Sequence, residues 1–162
     1  TYPLPEAQLD RFLLKALISY PEPAQEIDVL KKHDAGLDPA DIASAGLEKV
    51  ITIADLMNAR REVRAVRVDE GIFDYMVKVV EKTRGHRHLT LGASPRASLA
   101  FLLTSKVVAA MRGRDFVTPD DVKRMAPPVL RHRLILKPEA EIEGITTDDI
   151  VEQVLAEVEI PR

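Results

Sequence analysis

The sequence has no cysteine and no tryptophan, and only 4% of its 162 residues are aromatic. Without cysteine the chain can form no disulfide, no thiolate nucleophile and no cysteine-ligated zinc site. So few aromatic side chains offer no stacking surface for single-stranded nucleic acid, which argues against a nucleic-acid partner. No apolar run approaches the ~20 residues of a membrane span, and no signal-peptide pattern is present. We therefore expect a cytoplasmic chain without a membrane span.

Several catalytic signatures are also missing. The sequence contains no Gly-x-x-x-x-Gly-Lys-Ser/Thr loop, no Gly-x-Gly-x-x-Gly, no His-Glu-x-x-His and no serine nucleophile elbow. His86 and His88 are two residues apart in an expected loop and lack a nearby third ligand, so we expect no metal site. With 46% hydrophobic residues, 30% charged residues and a net charge of -3, the composition is that of one domain, or one domain plus an appendage.

The apolar spacing predicts a mainly helical chain. Residues recur at helical intervals from about 23 to 36, 53 to 66, 70 to 84, 95 to 112 and 147 to 158. Another helix begins at Thr118 and should break at Pro127-Pro128. The helix after Ser94 is expected to be the longest and the most buried, because apolar residues cover more than half its circumference. They are Leu99, Ala100, Leu102, Leu103, Val107, Ala110 and Met111. The last apolar stripe should dock on this domain or on a neighbour.

Residues 12–19 have a pattern that predicts a strand instead of a helix. Their apolar side chains leave nearly no polar face, which is typical of a strand inside a covered sheet. No second run of this kind is available to pair with it, and an unpaired strand leaves its backbone groups unsatisfied. We therefore expect an orphan β-strand from a truncated α/β core, followed by a helical bundle.

The stretch Leu91–Ser98 has the pattern of a loop that ends in a helix. Gly92 provides backbone freedom, Ser94 is suited to the N-cap and Pro95 to the first helical position. Arg96 then lies in the first turn, at the positive end of the helix dipole, where a cation loses about 0.3–1 kcal/mol that an acid would gain. Two interpretations remain open from spacing alone: an ordinary exposed arginine, or a binding site for a phosphate that complements both positive charges.

Three motifs resemble segments of the MoxR family of AAA+ ATPases. Thr1–Phe12 (TYPLPEAQLDRF) is similar to the segment after sensor 1, and Leu91–Ala97 (LGASPRA) is similar to the sensor 2 motif. Gly113–Val122 (GRDFVTPDDV) and then Ala126–Arg133 (APPVLRHR) resemble the end of the lid. The motifs occur in the family's order, and the resemblance covers Thr1 to about Leu136.

The resemblance implies a division of the chain into three parts. Residues 1–20 would end the AAA+ core and contain the arginine-finger segment and last strand, 21–136 would form the helical lid with sensor 2, and 137–162 would form a connector and amphipathic helix. The P-loop and the acidic strand end that serve ATP and Mg²⁺ would precede Thr1. The chain alone would then bind neither cofactor and hydrolyse no ATP, whereas the complete protein would be an ATPase.

The same resemblance gives roles to two arginines. Arg96, with Ser94 and Pro95 at the cofactor-binding helix start, matches the sensor 2 arginine that reaches the γ-phosphate in the same subunit. Arg11 matches the arginine finger supplied to ATP in the neighbouring subunit, although Asp10 could instead hold it in a local ion pair. MoxR-like proteins are associated with chaperone-like remodelling, with rings that are usually hexamers, and with partners carrying a von Willebrand factor A domain.

A different class of function stays open. A free-standing helical module that binds a protein or a nucleic acid would need no P-loop and no nucleotide chemistry. It would leave the orphan strand and the ordered motifs unexplained. A P-loop encoded within about two hundred residues upstream, roughly one nucleotide-binding domain, would decide between the two.

Overall fold

The structure is a computed structural model that describes residues 4–41 and 45–161. The first three residues of the predicted arginine-finger segment, residues 42–44 of the predicted connector, and Arg162 lie outside the described residues. The chain divides into two compact units. The first unit contains Thr1–Ala16 and Arg60–Arg162, and the second contains Leu17–Ala59.

The core of the first unit is a packed group of four helices. They are α4 (Glu70–Arg84), α5 (Pro95–Met111), α6 (Pro119–Leu130) and α8 (Thr147–Glu157). Helix α5 packs mainly on α6 and α4, and α8 packs on α6 and α4. The largest fully buried side chains come from all four helices: Tyr75, Met76, Phe101, Leu130 and Ile150. The mainly α fold class that the sequence predicts is confirmed.

Short elements complete the first unit. Strand β1 (Leu89–Leu91) pairs antiparallel with β2 (Ile135–Leu136), which brings the loop before α5 next to the chain that follows α6. Helix α1 (Glu6–Leu9) is a single turn, and α7 (Pro138–Ile142) was missed by the sequence analysis, which expected only a connector there. Among the described residues, no helix is long and apolar enough to cross a membrane.

The second unit consists of α2 (Pro23–Asp34) and the beginning of α3 (Ile53–Ala65). Both helices begin where the sequence predicts. Glu22 and Gln25 form a reciprocal cap around Pro23 at the start of α2. At the start of α3, Thr52 and Asp55 cap each other's backbone N–H groups.

The predicted strand at residues 12–19 is not formed. A strand needs a partner for its backbone groups, and no strand of the described part of the chain runs beside it. Some of those groups are satisfied by the end of α6 and the residues after it. The Lys15 N–H donates to the Pro128 carbonyl at 2.9 Å, and Arg131 donates to the Lys15 carbonyl at 3.2 Å.

The predicted break at Pro127-Pro128 is wrong, because α6 continues through both prolines to Leu130. The prolines lie in the last turn of the helix, and each lacks the N–H that would donate to the carbonyl four residues earlier. A helix proline costs about 3 kcal/mol, and burying a Val or Leu side chain contributes about 1.5–3 kcal/mol. Val129 and Leu130 are both fully buried, so packing offsets the loss.

Helix α5 is the longest helix, as predicted, but it buries a different face from the expected one. Its buried residues are mostly small, namely Ala97, Ala100, Phe101, Thr104, Ser105 and Ala109. Leu99 and Leu103 are more than half exposed. Small side chains let neighbouring backbones approach closely, and a helix that is apolar over more than half its circumference gives little periodic signal for choosing its buried face.

The predicted last helix is confirmed as α8, with Thr146 as its N-cap. Its stripe docks within the first unit, because Ile150, Val151 and Val154 are fully buried. The interpretation that this stripe packs on its own domain is therefore correct. The division into 1–20, 21–136 and 137–162 stays a prediction.

Candidate functional site

The loop before α5 is fixed on the end of α4. The Ala93 N–H donates to the Thr83 hydroxyl at 2.9 Å, and Arg84 Nε donates to the Ala93 carbonyl at 3.1 Å. A Cβ atom on Gly92 would lie 2.6 Å from both the N and the Cα of Arg84. Glycine is therefore required here for space. The backbone freedom suggested by the sequence is not the reason, because the φ of Gly92 is not positive.

The predicted helix start is confirmed at Ser94, Pro95 and Arg96. Ser94 is the N-cap and accepts a hydrogen bond from the Arg96 N–H at 3.2 Å, and Pro95 is the first helical residue. The Ser94 hydroxyl also lies 2.9 Å from both carboxylate oxygens of Asp10, to which it donates. The cap therefore connects α5 to a residue 84 positions earlier in the chain.

Asp10 is the centre of this site. Its carboxylate accepts hydrogen bonds from Ser94, from Arg96 Nη1 at 3.0 Å and from Arg133 Nε at 3.2 Å. Burial alone would raise the pKa of Asp10, but the hydrogen bonds from Ser94 and Arg96 and the charges of Arg133 and Arg96 together lower it. Asp10 is thus an ionised carboxylate between two guanidinium groups.

The guanidinium of Arg96 is accessible, with 60% of its side chain exposed to solvent. It lies at the N-terminus of α5, where the helix dipole favours an anion. In the structure that anion is the Asp10 carboxylate, whose side chain is only 17% exposed. The arrangement shows that a carboxylate fits between Ser94 and Arg96, and a phosphate oxygen offers the same acceptor chemistry.

Arg11 is exposed, and in the described part of the chain its guanidinium has no ion-pair partner. The local pair with Asp10 that the sequence left open is not formed, because the carboxylate of Asp10 is directed to Arg96 and Arg133 instead. Arg11 borders a shallow surface depression together with Gln8 and Phe12. Its side chain is therefore free to meet a group outside this chain.

Sequence reasoning missed the part played by Arg131–Arg133. The sequence showed only a locally basic run, whereas the structure places all three side chains on the backbone of residues 10–15. His132 Nε2 donates to the Phe12 carbonyl at 3.0 Å, and Arg133 donates to the same carbonyl at 2.5 Å. The available signal was the resemblance of Ala126–Arg133 to the end of the lid, but a motif does not indicate which backbone atoms it contacts.

A cleft of about 760 Å³ opens beside these residues. It is lined by α1, the loop from Thr90 to Ser94, Arg96 and the segment from Arg131 to Ile135. Among residues 4–41 and 45–161, no group of three or more acidic or histidine side chains is placed to hold a metal ion. The donors that line the described cleft include the Ser94 hydroxyl and the guanidinium of Arg96.

Comparisons with known proteins show which proteins this chain is similar to. Residues 81–154 match the family model of the AAA lid domain. The chain is 44% identical to the uncharacterized protein YeaC of Bacillus subtilis, covering 99% of this chain and 49% of that protein. It is 35% identical to the chaperone MoxR1 of Mycobacterium tuberculosis, covering 99% of this chain and 43% of that protein.

A crystal structure gives the same result for the fold. A protein of Cytophaga hutchinsonii, described as a candidate ATPase, superposes with a TM-score of 0.86 at 32% identity, covering 99% of this chain and 50% of that one. The chain spans about half the length of the curated relatives it matches. The chain therefore has an AAA lid domain at residues 81–154, and 99% of its length is similar to proteins named MoxR.

Proposed function

We propose that this chain is the lid portion of an AAA+ ATPase that couples ATP binding and hydrolysis to chaperone-like remodelling or activation of partner proteins. The observation that carries the proposal is the start of α5, where Ser94 and an exposed Arg96 hold a carboxylate at the N-terminus of the helix. The similarity to a protein named as a chaperone supports the second half of the proposal.

Arg96 acts in this proposal as the sensor 2 arginine. It has one ion-pair partner, Asp10, on an accessible side chain. The Arg96 side chain is 60% exposed, and Asp10 keeps its bonds to Ser94 and Arg133 when Arg96 leaves, so a phosphate can compete for the guanidinium at little cost. Release of Arg96 from Asp10 and its transfer to the γ-phosphate would link the lid to the state of the nucleotide.

Arg11 acts as an arginine finger for ATP bound in a neighbouring subunit. The support is its exposed guanidinium without an ion-pair partner among the described residues. Phosphoryl transfer spreads negative charge over the phosphate oxygens, and a guanidinium placed there is worth about 10³–10⁵ in rate. Arginine suits this role because it stays charged and presents a planar fork of donors.

The residues present fit the phosphate part of ATP better than the magnesium ion. Arg96 and Ser94 supply cationic and hydroxyl donors, whereas the described chain has no cluster of metal ligands. Mg²⁺ would neutralise phosphate charge when bound, and we propose that its ligands lie in the nucleotide-binding core of the complete protein. On this proposal the chain alone hydrolyses no ATP.

Assembly follows from the role of Arg11, since a finger that acts on a neighbour requires a ring of subunits. A hexamer, a partner with a von Willebrand factor A domain and a cytoplasmic location stay predictions of the family resemblance. The client protein would be found by pull-down with the complete protein under conditions that block ATP hydrolysis.

The test is ATP turnover by the complete protein carrying Arg96→Ala. Loss of a donor to the transition state should lower kcat by about tenfold or more. Arg67→Ala is the matched control, because Arg67 is another exposed arginine of this unit with one ion-pair partner, Asp115 at 3.1 Å. Turnover within about twofold of the unaltered protein in both variants would remove the sensor 2 assignment.

A further inference from the structure

Arg133 is a buried cation whose five N–H groups are all used. Only 2% of its side chain is exposed. Nε donates to the carboxylate of Asp10, and Nη1 donates to the carbonyls of Leu13 and Val129. Nη2 donates to the carbonyls of Asp10 and Phe12. Five donors thus meet five acceptors, which is the full hydrogen-bonding capacity of a guanidinium.

Four of the five acceptors of Arg133 belong to residues on either side of Arg11 in the sequence. Three of them are the main-chain carbonyls of residues 10, 12 and 13, and a fourth is the Asp10 carboxylate. The residue in between is Arg11, whose own side chain is exposed and forms no hydrogen bond or ion pair with the described residues. Arg133 therefore fixes the backbone around Arg11 and leaves the Arg11 guanidinium free.

The neighbouring residues act on the same backbone. His132 adds a second donor to the Phe12 carbonyl at 3.0 Å, and Arg131 donates to the Lys15 carbonyl at 3.2 Å. Arg131 is in turn held by Asp148 through two bonds of 3.1 and 3.0 Å. The segment after α6 is thus anchored to α8, and it also holds the backbone of residues 10–15 by hydrogen bonds.

We propose that Arg133 is a positioning residue for the arginine finger, which sets the backbone from which Arg11 reaches the ATP of the neighbouring subunit. The inference rests on the proposed role of Arg11 and adds to it the residue of the lid that aims the finger. A group that must meet a transition state has to be held to within a fraction of an ångström. Apart from turn hydrogen bonds from the Arg11 and Phe12 N–H groups to the end of α1, the backbone at Arg11 has no regular structure to hold it.

Lysine cannot replace arginine at this position. Its ammonium group has three donors at one point, whereas the acceptors of Arg133 are spread around a planar fork. Arg133→Lys therefore keeps the buried charge and loses the geometry. In the complete protein we expect it to lower kcat by about tenfold or more and to change the KM for ATP by less than about twofold, because the finger acts on the transition state.

The experiment compares Arg133→Lys with Arg11→Ala, with the double variant and with Arg114→Lys. Arg114 is the matched control, because it is a partly buried arginine that donates to a carboxylate and a carbonyl, those of Asp121 and Phe116, but forms no hydrogen bond to residues 10–13. We expect the double variant to turn over ATP no more slowly than Arg11→Ala, since both changes remove the same interaction. Arg114→Lys should lower the melting temperature and leave kcat within about twofold.

Each outcome decides the inference. Normal turnover in Arg133→Lys with loss in Arg11→Ala would overturn it and leave the finger in place. If Arg133→Lys and Arg114→Lys both lost turnover in proportion to their fall in melting temperature, Arg133 would act on stability alone. This result would also overturn the inference. Normal turnover in Arg11→Ala would instead refute the proposed function of the finger itself.

A second variant covers the case in which Arg133→Lys does not fold. His132 is partly exposed and supplies one donor to the Phe12 carbonyl, so His132→Ala removes part of the same support. We expect its kcat to fall by about threefold to tenfold at an unchanged KM, the size of one net hydrogen bond. Unchanged kcat in a folded His132→Ala would contradict the positioning role.

Discussion

The most informative stability prediction concerns Asp121, a fully buried carboxylate in the first turn of α6. It accepts bonds from Arg114 at 2.6 and 2.8 Å, from the Thr118 N–H at 2.9 Å and from the Thr118 hydroxyl at 3.0 Å. Burial would raise the pKa of Asp121, but the hydrogen bonds from Arg114 and Thr118 lower it, so the group is charged at neutral pH.

Asp121→Asn removes the charge and turns one acceptor oxygen into a donor that faces the Arg114 guanidinium. Breaking a buried ion pair by altering one partner costs about 3–5 kcal/mol. The asparagine amide keeps one acceptor oxygen, and Arg114 keeps some access to solvent, so we expect a cost at the lower end of this range. We therefore expect the free energy of unfolding to fall by about 3 kcal/mol.

The assay is urea unfolding at pH 7 followed by circular dichroism. The matched control is Asp115→Asn, whose carboxylate pairs with Arg67 at 3.1 Å while both side chains are at least 70% exposed. An exposed pair is worth about 0–1 kcal/mol. If Asp121→Asn cost less than about 1 kcal/mol and no more than the control, the buried pair would not stabilise α6 as argued.

Three further predictions concern the same unit. Gly92→Ala should destabilise the unit by about 2 kcal/mol or more, because its Cβ would overlap the backbone of Arg84. Gly85→Ala is the control, since a Cβ there meets open space and should change stability little. Urea unfolding of the two variants measures the difference. Thr146→Ala should cost about 1 kcal/mol by removing the cap of α8, and a fall no larger than the error of thermal unfolding would contradict it. Burial lowers the pKa of His86 and His132 below 6.5, so the folded state binds protons less readily than the unfolded chain. The stability that these histidines contribute is complete above pH 6.5 and is lost as the pH falls below 6.5 and through their lowered pKa values. The free energy of unfolding should therefore be smaller at pH 5.5 than at pH 7.5, and the difference should be smaller in His86→Gln.

Local chemistry made several elements predictable from the sequence. The caps at Thr52, Ser94 and Thr146 combine a short polar side chain with helix-favouring residues after it, and each helix begins where this pattern places it. The start of α5 with Arg96 in its first turn was predictable for the same reason. These features depend on a few neighbouring residues, and their energies do not depend on the remainder of the fold.

Features that depend on distant residues were not predictable. The pattern at 12–19 indicated a strand, but strand formation depends on a partner that none of the described segments supplies. The exposed Leu99 and Leu103 could not be distinguished from the buried Ala97 and Ala100, because α5 is apolar over more than half its circumference. The link from Arg133 to Asp10 joins residues 123 positions apart, and no local spacing indicates it.

The most direct test of the account is ATP turnover by mixed rings of the complete protein. One subunit carries Arg11→Ala, and the other has an intact Arg11 and a P-loop lysine replaced so that it binds no ATP. Each subunit alone should be nearly inactive. If Arg11 acts on the ATP of a neighbour, mixing restores turnover, because the intact finger of one subunit meets the intact ATP site of the other. Turnover that stays at the level of the separate variants at every mixing ratio would contradict the account.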